Sequence, residues 1–504
     1  MGNDHAKMLA EARRAFLIAP AGCGKTHTIA DAVTLSQGRQ LVLTHTHAGV
    51  HALERKLKEA RTGRDSYRVQ TIATWALRYV TAYPLLSGFR TSSSDPFDWA
   101  LLTDDDYEKA YDAAATLLQK KAIADVVRAT YAGVYVDEYQ DCTLPQERLV
   151  LALGDLIPCR VLGDPLQGIF DFAGTLVDMN AVKDYGFACV PPLEIPMRWQ
   201  KKGNDAALGR WLTDARRQVE STSRIDITPF WCKGDYSARV DTCRKLMKRK
   251  GSTVIIRNRP NECRKLARRL GGAAQCIEEI HGKELLRICR ELDCADGSEL
   301  ALKLTWFAGQ CLTGLGKRFE DGVSRFFQNG RTTAFVTKHS ALVSVLEHST
   351  KNHTPRTVLQ ALEALYTAAS NEGGRLFRPD LWSGMKRALR AKESRDFATL
   401  EAAARQTRRE LAQAGRCLPR VVVSTTRLVK GLEFDHAIVF SEGLDERHLR
   451  NLYVAITRAS KSLTVFSDSP IIVPAPQPVP RQKKNKKMDH PCLDLGLPGS
   501  TPPP

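Results

Sequence analysis

Short runs of aliphatic and β-branched residues alternate along the chain with longer stretches of helical period, the pattern of parallel α/β units. Residues 16–19, 41–44, 133–136 and 159–163 are predicted as buried parallel strands. Each runs into a polar, glycine-containing or acidic loop, where open α/β sheets place their ligands. A second set follows much later, at 252–257, 420–425, 437–440 and 462–466. Two sheets so far apart predict two α/β domains with mainly helical insertions. The first takes residues 1–75 plus 130–198, interrupted by helical residues 76–129. The second takes 199–281 plus 414–470, interrupted by helical residues 282–413. No internal repeat of solenoid period appears. From residue 471 the pattern stops. Prolines, then Lys483, Lys484, Lys486 and Lys487, then Pro502 to Pro504 predict a disordered tail over 471–504.

Composition narrows the class. A chain of 504 residues is too long for one compact core. It has no run of 18 apolar residues, which argues against a membrane span, and its first residues lack the apolar core of a secretory signal. The expected location is cytoplasmic. The 13 cysteines are scattered without paired C-x2-C spacing, so they read as buried thiols and not as zinc ligands or disulfides. A net charge of +18 points to a polyanion, since each neutralised phosphate releases counterions. Charge alone does not separate DNA from RNA, and a solubility surface is the plain alternative.

The strongest chemical signal is Ala19-Pro-Ala-Gly-Cys-Gly-Lys-Thr26, after one predicted strand and opening a helix. Gly22 and Gly24 allow backbone N–H groups to wrap phosphates, with Ala21, Cys23 and Thr28 completing the loop and first turn. Lys25 would reach the outer phosphates of ATP, and the Thr26 hydroxyl would ligate Mg²⁺. The general phosphate-loop pattern has glycine where this chain has Ala19. About 110 residues on, an apolar strand delivers Asp137 and Glu138. Asp137 suits Mg²⁺, and Glu138 suits the general base that orients a water.

AGCGKT (21–26), VDEYQD (136–141), LGDPLQGIFDFAG (162–174), KGLEF (430–434) and YVAITRA (453–459) together resemble helicase motifs I, II, III, V and VI of the superfamily 1 UvrD/Rep/PcrA-like family, in the family's order. The resemblance spans residues 16–466. It implies two RecA-like P-loop NTPase domains, and an ATP hydrolase whose cofactors are ATP and Mg²⁺. It further implies that Gln167 senses the γ-phosphate, that Arg198 and Arg458 clamp it from the second domain, and that Glu433 holds the ribose. Arg198 stands in Met197-Arg-Trp199, where the neighbours depart from the family.

For nucleic acid, the resemblance points to Phe170 and Phe172 as base-stacking aromatics. It also points to Lys430, and to His45, His47, Thr71 and Trp75 in two loops with substitutions. His45 stands where the family has an aromatic, His47 where it has Asn. Trp75 fits a stacking platform and a core position equally. Three histidines (45, 47 and 51) raise a metal site, but they belong to one loop after a strand. Other departures are Ala173 for Arg, Arg427 for His, and no glutamine at the usual distance before Ala19, which leaves adenine recognition unsupported.

These features imply an ATP-dependent DNA helicase or translocase acting 3′ to 5′ on single-stranded or tailed DNA, with RNA left open. The alternative is a DNA-sensing ATPase switch working with a partner nuclease and without processive unwinding. The compact body and the VDEYQD and KGLEF stretches are also similar to the helicase-like component of the Gabija anti-phage system, which would imply an OLD-type TOPRIM nuclease as that partner. A P-loop kinase lacks any phosphoacceptor signal here, and no fused nuclease or membrane association is indicated.

Overall fold

The computed structural model describes residues 2–90, 104–169, 175–201, 203–222, 224–278, 283–331, 333–395, 397–414, 418–442 and 449–473. The strands are β1 (Arg14–Ile18), β2 (Gln40–Thr44), β3 (Tyr67–Thr71), β4 (Gly133–Val136), β5 (Cys159–Gly163), β6 (Ala188–Val190), β7 (Ile225–Asp226), β8 (Trp231–Cys232), β9 (Thr253–Ile256), β10 (Gln275–Cys276), β11 (Val421–Ser424), β12 (Phe434–Phe440), β13 (Ala459–Phe466) and β14 (Ile471–Ile472). Six form one sheet in the order β3-β2-β4-β5-β1-β6, and six form a second in the order β10-β11-β9-β12-β13-β8. Every pairing within these two sheets is parallel. The architecture is two parallel α/β domains carrying many helices.

Period-two alternation explains why both faces of each sheet are covered. Phe16, Leu43, Val134, Val136 and Val161 enter one core, while Ala15, Leu17, Val42, Tyr135 and Leu162 enter the core on the opposite face. The second sheet divides likewise, with Val254, Ile256, Val422 and Val439 on one side and Ile255, Val423, Ile438 and Phe440 on the other. All eight strands read from the sequence are present. The edge strand β3 is masked in the sequence by Arg68 and Gln70, and β6, β8 and β10 are only two or three residues long.

Helices Ile72–Ala82, Pro84–Ser87, Asp104–Leu118 and Lys121–Thr130 stand between β3 and β4. They pack Trp75, Tyr111, Leu117 and Val127 into the same core as β1, β2 and β4. Between β10 and β11 stands an all-helical block from Lys283–Asp293 to Leu400–Ala414 with its own core, including Leu304, Phe307, Leu346, Leu365 and Met385. A buried ionic node fastens that block to the second sheet, where Arg378 meets Glu278 and Glu284, each at 2.7 Å.

The expected tail from residue 471 is not what its first two residues form. Ile471–Ile472 forms β14, antiparallel to β7, and Ile472 is buried. Residues 474–504, with the proline and lysine runs, lie outside the described residues. No helix among the described residues is long and apolar enough to cross a membrane.

Candidate functional site

Sheet order explains where the chemistry gathers. β5 lies between β1 and β4, so the loop after β5 sits between the glycine loop after β1 and the acidic loop after β4. The Ala19 N–H donates to the Gly163 carbonyl at 2.8 Å, joining the first of these loops to the end of β5. Gly22 and Gly24 have φ of 75° and 92°, a region that glycine enters without steric cost. A Cβ on Gly22 would also collide with the Trp199 ring. Gly24 caps helix Lys25–Leu35, and the Thr28 hydroxyl donates back to its carbonyl at 3.3 Å. Ala21 and Cys23 are buried. Burial, reinforced by Asp164, pushes the Cys23 thiol up to about 12, so it is no nucleophile.

Lys25 lies against both carboxylates after β4, 3.2 Å from Asp137 Oδ1 and in contact with Glu138 Oε1. Burial pushes the lysine down, but the two acids more than reverse this and hold its ammonium above the ordinary value. Burial raises Asp137 against the pull of Lys25. For Glu138, burial is outweighed by Lys25 and Lys430, which hold it well below the carboxylate range. Glu138 occupies the left-handed region at φ 58° and ψ 39°, a conformation costing about 1–3 kcal/mol outside glycine. Gln140 Nε2 donates to Glu138 Oε2 at 2.5 Å, and its carbonyl oxygen accepts from the Asp164 N–H at 2.9 Å. One side chain thus ties the acidic loop to the end of β5.

Past β5, Gln167 Nε2 donates to the fully buried Asp164 Oδ2 at 2.7 Å. Asp164 Oδ1 accepts from Arg216 of helix Ala206–Thr222, also at 2.7 Å. From the second sheet, Arg458 Nη2 comes within 3.5 Å of Gln167 Oε1, and the rest of its guanidinium is held by the carbonyls of Val454 and Leu432 and by Thr457 Oγ1. Arg198 bridges the two halves. Its N–H donates to the Gly22 carbonyl at 3.0 Å, its Nη1 to the Thr457 carbonyl at 2.7 Å, and its Nε lies 3.2 Å from Glu433 Oε2. Burial, and then repulsion from Arg198, pushes Arg458 down to about 9. Arg198 is likewise lowered by burial, partly offset by Glu433. The two buried guanidiniums share one half-exposed carboxylate, Glu433, and an anion beside them would offset part of the cost of their burial.

Lys25, Glu138, Gln167, Arg198, Arg458 and Glu433 are therefore brought to one cleft between the two sheets. The candidate nucleic-acid residues fare differently. Phe170 and Phe172 lie outside the described residues. Trp75 is fully buried and stacks on Tyr79 with centroids 4.2 Å apart. Its ring has no open face for a base, so the core position, not the stacking platform, is the one observed. Thr71 is buried and caps helix Ile72–Ala82 by accepting from the Thr74 N–H at 3.0 Å. Lys430 also departs from the strand-contact expectation. Its side chain is 5% exposed, turned inward to Asp141 Oδ2 at 2.5 Å and to the Gln167 carbonyl. A cation fully engaged by protein oxygen has no free charge for a phosphodiester.

His45 is half-buried, with Nε2 3.6 Å from Cys142 Sγ. Burial, then Lys430, pushes it down to about 4, so the ring is neutral. His47, half-buried in the first turn of helix His47–Glu59, is lowered by burial and then by His51. Among the described residues no cluster of three metal-ligating side chains occurs. The residues that motif reading passed over are Gln140, Asp141, Asp164, Arg216 and Tyr453. All but Arg216 lie inside quoted motifs. Asp141 and Asp164 meet Lys430 and Arg216 of the second domain, Tyr453 accepts from Arg216 at 3.4 Å, and Gln140 acts within the first domain.

Residues 3–173 match the model of an AAA domain, and residues 420–466 match that of a UvrD-like helicase C-terminal domain. The first match contains the loops after β1, β4 and β5 up to Gln167, and the second contains Lys430, Glu433 and Arg458. Among solved structures the chain is similar to arterivirus nonstructural protein 10, a helicase, in complex with DNA, at 11% identity and a TM-score of 0.32 over 92% of this chain and 63% of that one. A second structure of the same arterivirus helicase gives 10% identity and a TM-score of 0.30 over 92% and 62%. The chain thus spans less than two thirds of the length of these helicases. No curated protein matches it.

Proposed function

Taking this chain as a member of the superfamily 1 UvrD-like helicases, we propose that it hydrolyses ATP in the cleft between its two sheets, stimulated by single-stranded or tailed DNA. The observation that carries the reading is the approach of Arg458 Nη2 to Gln167 Oε1 at 3.5 Å, with Arg198 Nη1 bonded to the Thr457 carbonyl, across the boundary between the two halves. A nucleotide bound to the glycine loop would meet cations from both sides. Charge building on the transferred phosphoryl group would be stabilised by guanidiniums already oriented by backbone carbonyls.

The roles follow from the contacts. Lys25 holds Asp137 and Glu138, and an outer phosphate would draw its ammonium away from both. Glu138, thereby freed, accepts the proton of the attacking water. The Thr26 hydroxyl and the Asp137 carboxylate are hard oxygen donors of the kind Mg²⁺ prefers, and the charge of Lys25 beside Asp137 marks where a cation is tolerated. Mg²⁺ would neutralise the phosphate oxygens there. Because Gln167, Asp164 and Arg216 connect the halves, loss of the γ-phosphate weakens the closed arrangement, and repeated closing and opening drives movement along a strand. The 3′ to 5′ direction rests on the family resemblance.

Steady-state phosphate release with MgATP, alone and with single-stranded DNA, single-stranded RNA or blunt duplex, tests the reading. Strong stimulation by single-stranded DNA is expected, and displacement from 3′-tailed but not 5′-tailed duplexes tests direction. Stimulated hydrolysis with no strand separation would favour the DNA-sensing switch acting with a partner. No hydrolysis under any condition would overturn the ATPase reading.

A further inference from the structure

Two glycines far apart in the chain make room for one indole. A Cβ on Gly22, in the loop after β1, would overlap Cζ3 of Trp199 and lie 2.9 Å from its Cη2. A Cβ on Gly209, in helix Ala206–Thr222, would lie 2.6 Å from the Trp199 Cβ. Glycine inside a helix costs about 1 kcal/mol relative to alanine, and here it lets the helix close on the tryptophan. Trp199 is fully buried in the core of the second sheet, with Leu208, Leu212, Phe434 and Ala459. Its indole N–H donates to the Ala459 carbonyl at 2.8 Å, the kind of partner a buried indole needs. Ala459 directly follows Arg458. The guanidinium carbon of Arg198 lies over the same ring, 5.2 Å from its centroid. One rigid side chain therefore meets the glycine loop of the first half, the backbone beside one guanidinium, and the other guanidinium itself.

We propose that Trp199 is a positioning residue that couples the glycine loop to Arg458: its ring bears on Gly22, and its N–H fixes the carbonyl next to the arginine that approaches Gln167. A phosphate drawn into the loop shifts Gly22 against a ring that the Gly209 helix backs from the other side. The displacement passes through the indole N–H to Ala459, where β13 begins, and so to the orientation of Arg458. Phenylalanine at this position would fill part of the space, but it lacks the N–H and the reach of the six-membered ring to Gly22. The inference rests on the ATPase reading above and deepens it.

The test compares the full unaltered chain with Trp199→Phe, measuring kcat and KM for MgATP and the change in tryptophan fluorescence on adding MgAMP-PNP. In the variant kcat is expected to fall about tenfold while KM stays within about twofold, as for a catalytic group displaced beside an intact phosphate loop. A side chain that only filled the core would not report the nucleotide. The fluorescence change of the unaltered chain is therefore expected to lose most of its amplitude in the variant. An unchanged kcat, a KM that rises as far as kcat falls, or the same fluorescence change in both chains would each overturn the proposal. If Trp199→Phe fails to fold by circular dichroism, Trp199→Met replaces it under the same criteria. Absence of turnover in the unaltered chain would instead remove the ATPase reading, and the fluorescence comparison would still decide whether Trp199 responds to nucleotide.

Discussion

Lys430 Nζ lies 2.5 Å from Asp141 Oδ2, a bond that runs from the loop after β11 in one sheet to the loop after β4 in the other. Both side chains are almost fully buried, and the same ammonium contacts the Gln167 carbonyl and lies 3.9 Å from Glu138 Oε2. Burial pushes Asp141 up to about 7 against the opposing pull of Lys430. The lysine favours the ionised acid against its burial, so the pair ties the charge of Asp141 to the contact between the two halves.

Lys430→Met strands Asp141 in an apolar setting. Breaking a buried pair costs about 3 kcal/mol, toward the low end of the range because Asp141 takes up a proton instead. Urea denaturation is the measurement. Lys430→Met combined with Asp141→Asn should cost less than the sum of the single changes, with a coupling of about 1–3 kcal/mol. Strict additivity would mean that the two residues do not depend on each other in solution.

Arg216 places the same question on the other side of Gln167. Asp164 is fully buried and accepts from Gln167 and Arg216 on separate oxygens. Arg216→Met removes the only cation on that carboxylate among the described residues and loosens the side chain it orients. The expected result is a kcat lower by about tenfold or more with little change in ATP affinity, since neither residue is hydrogen-bonded to the glycine loop. Equilibrium nucleotide binding and single-turnover hydrolysis separate the two.

What was legible in the sequence was what local chemistry demands. A loop that bends around phosphates needs Gly22 and Gly24 in fixed places, and adjacent carboxylates after an apolar strand have few other uses. Both sheets were legible because their central strands are uninterrupted runs buried on two faces. Arg216 was not, because nothing in helix Ala206–Thr222 marks one arginine among several, and only packing against β5 selects it. Trp75 stays between two positions in the sequence, and Lys430 is assigned to the nucleic-acid strand, for a related reason. An aromatic or a lysine in a motif looks the same whether it faces solvent or the neighbouring domain, and burial is decided by residues far away in the chain.

His45 gives the fold a pH signature. Its pKa is pushed down from 6.5 to about 4 by burial and by Lys430. The unfolded chain therefore binds a proton first as pH falls, so the stability His45 contributes is present above pH 6.5 and is lost on the way down to about pH 4. Thermal melts of the unaltered chain and of His45→Gln across that window are the check. The difference in Tm between them should shift in favour of the variant as pH falls, and a constant difference would show that the ring titrates normally.

Glu138→Gln and Lys25→Ala separate binding from turnover at the two residues in closest contact. Glutamine keeps the size of Glu138 and a carbonyl oxygen for the Gln140 amide, but it removes the base. It also removes the negative charge that now holds Lys25, so the ammonium is freer to meet a phosphate. ATP affinity should be equal or higher, while kcat falls about 10²–10⁴-fold, the usual contribution of a general base. Lys25→Ala removes the cation between Asp137 and Glu138 and leaves two buried acids facing each other. ATP affinity and kcat should fall together, and Asp137 and Glu138 should share a proton in the variant, since two carboxylates so placed do not both ionise readily. Nucleotide titrations followed by phosphate-release assays decide both cases. If Glu138→Gln turned over ATP at the rate of the unaltered chain, the base would have to be sought elsewhere in the cleft, with Asp141 the next carboxylate in reach.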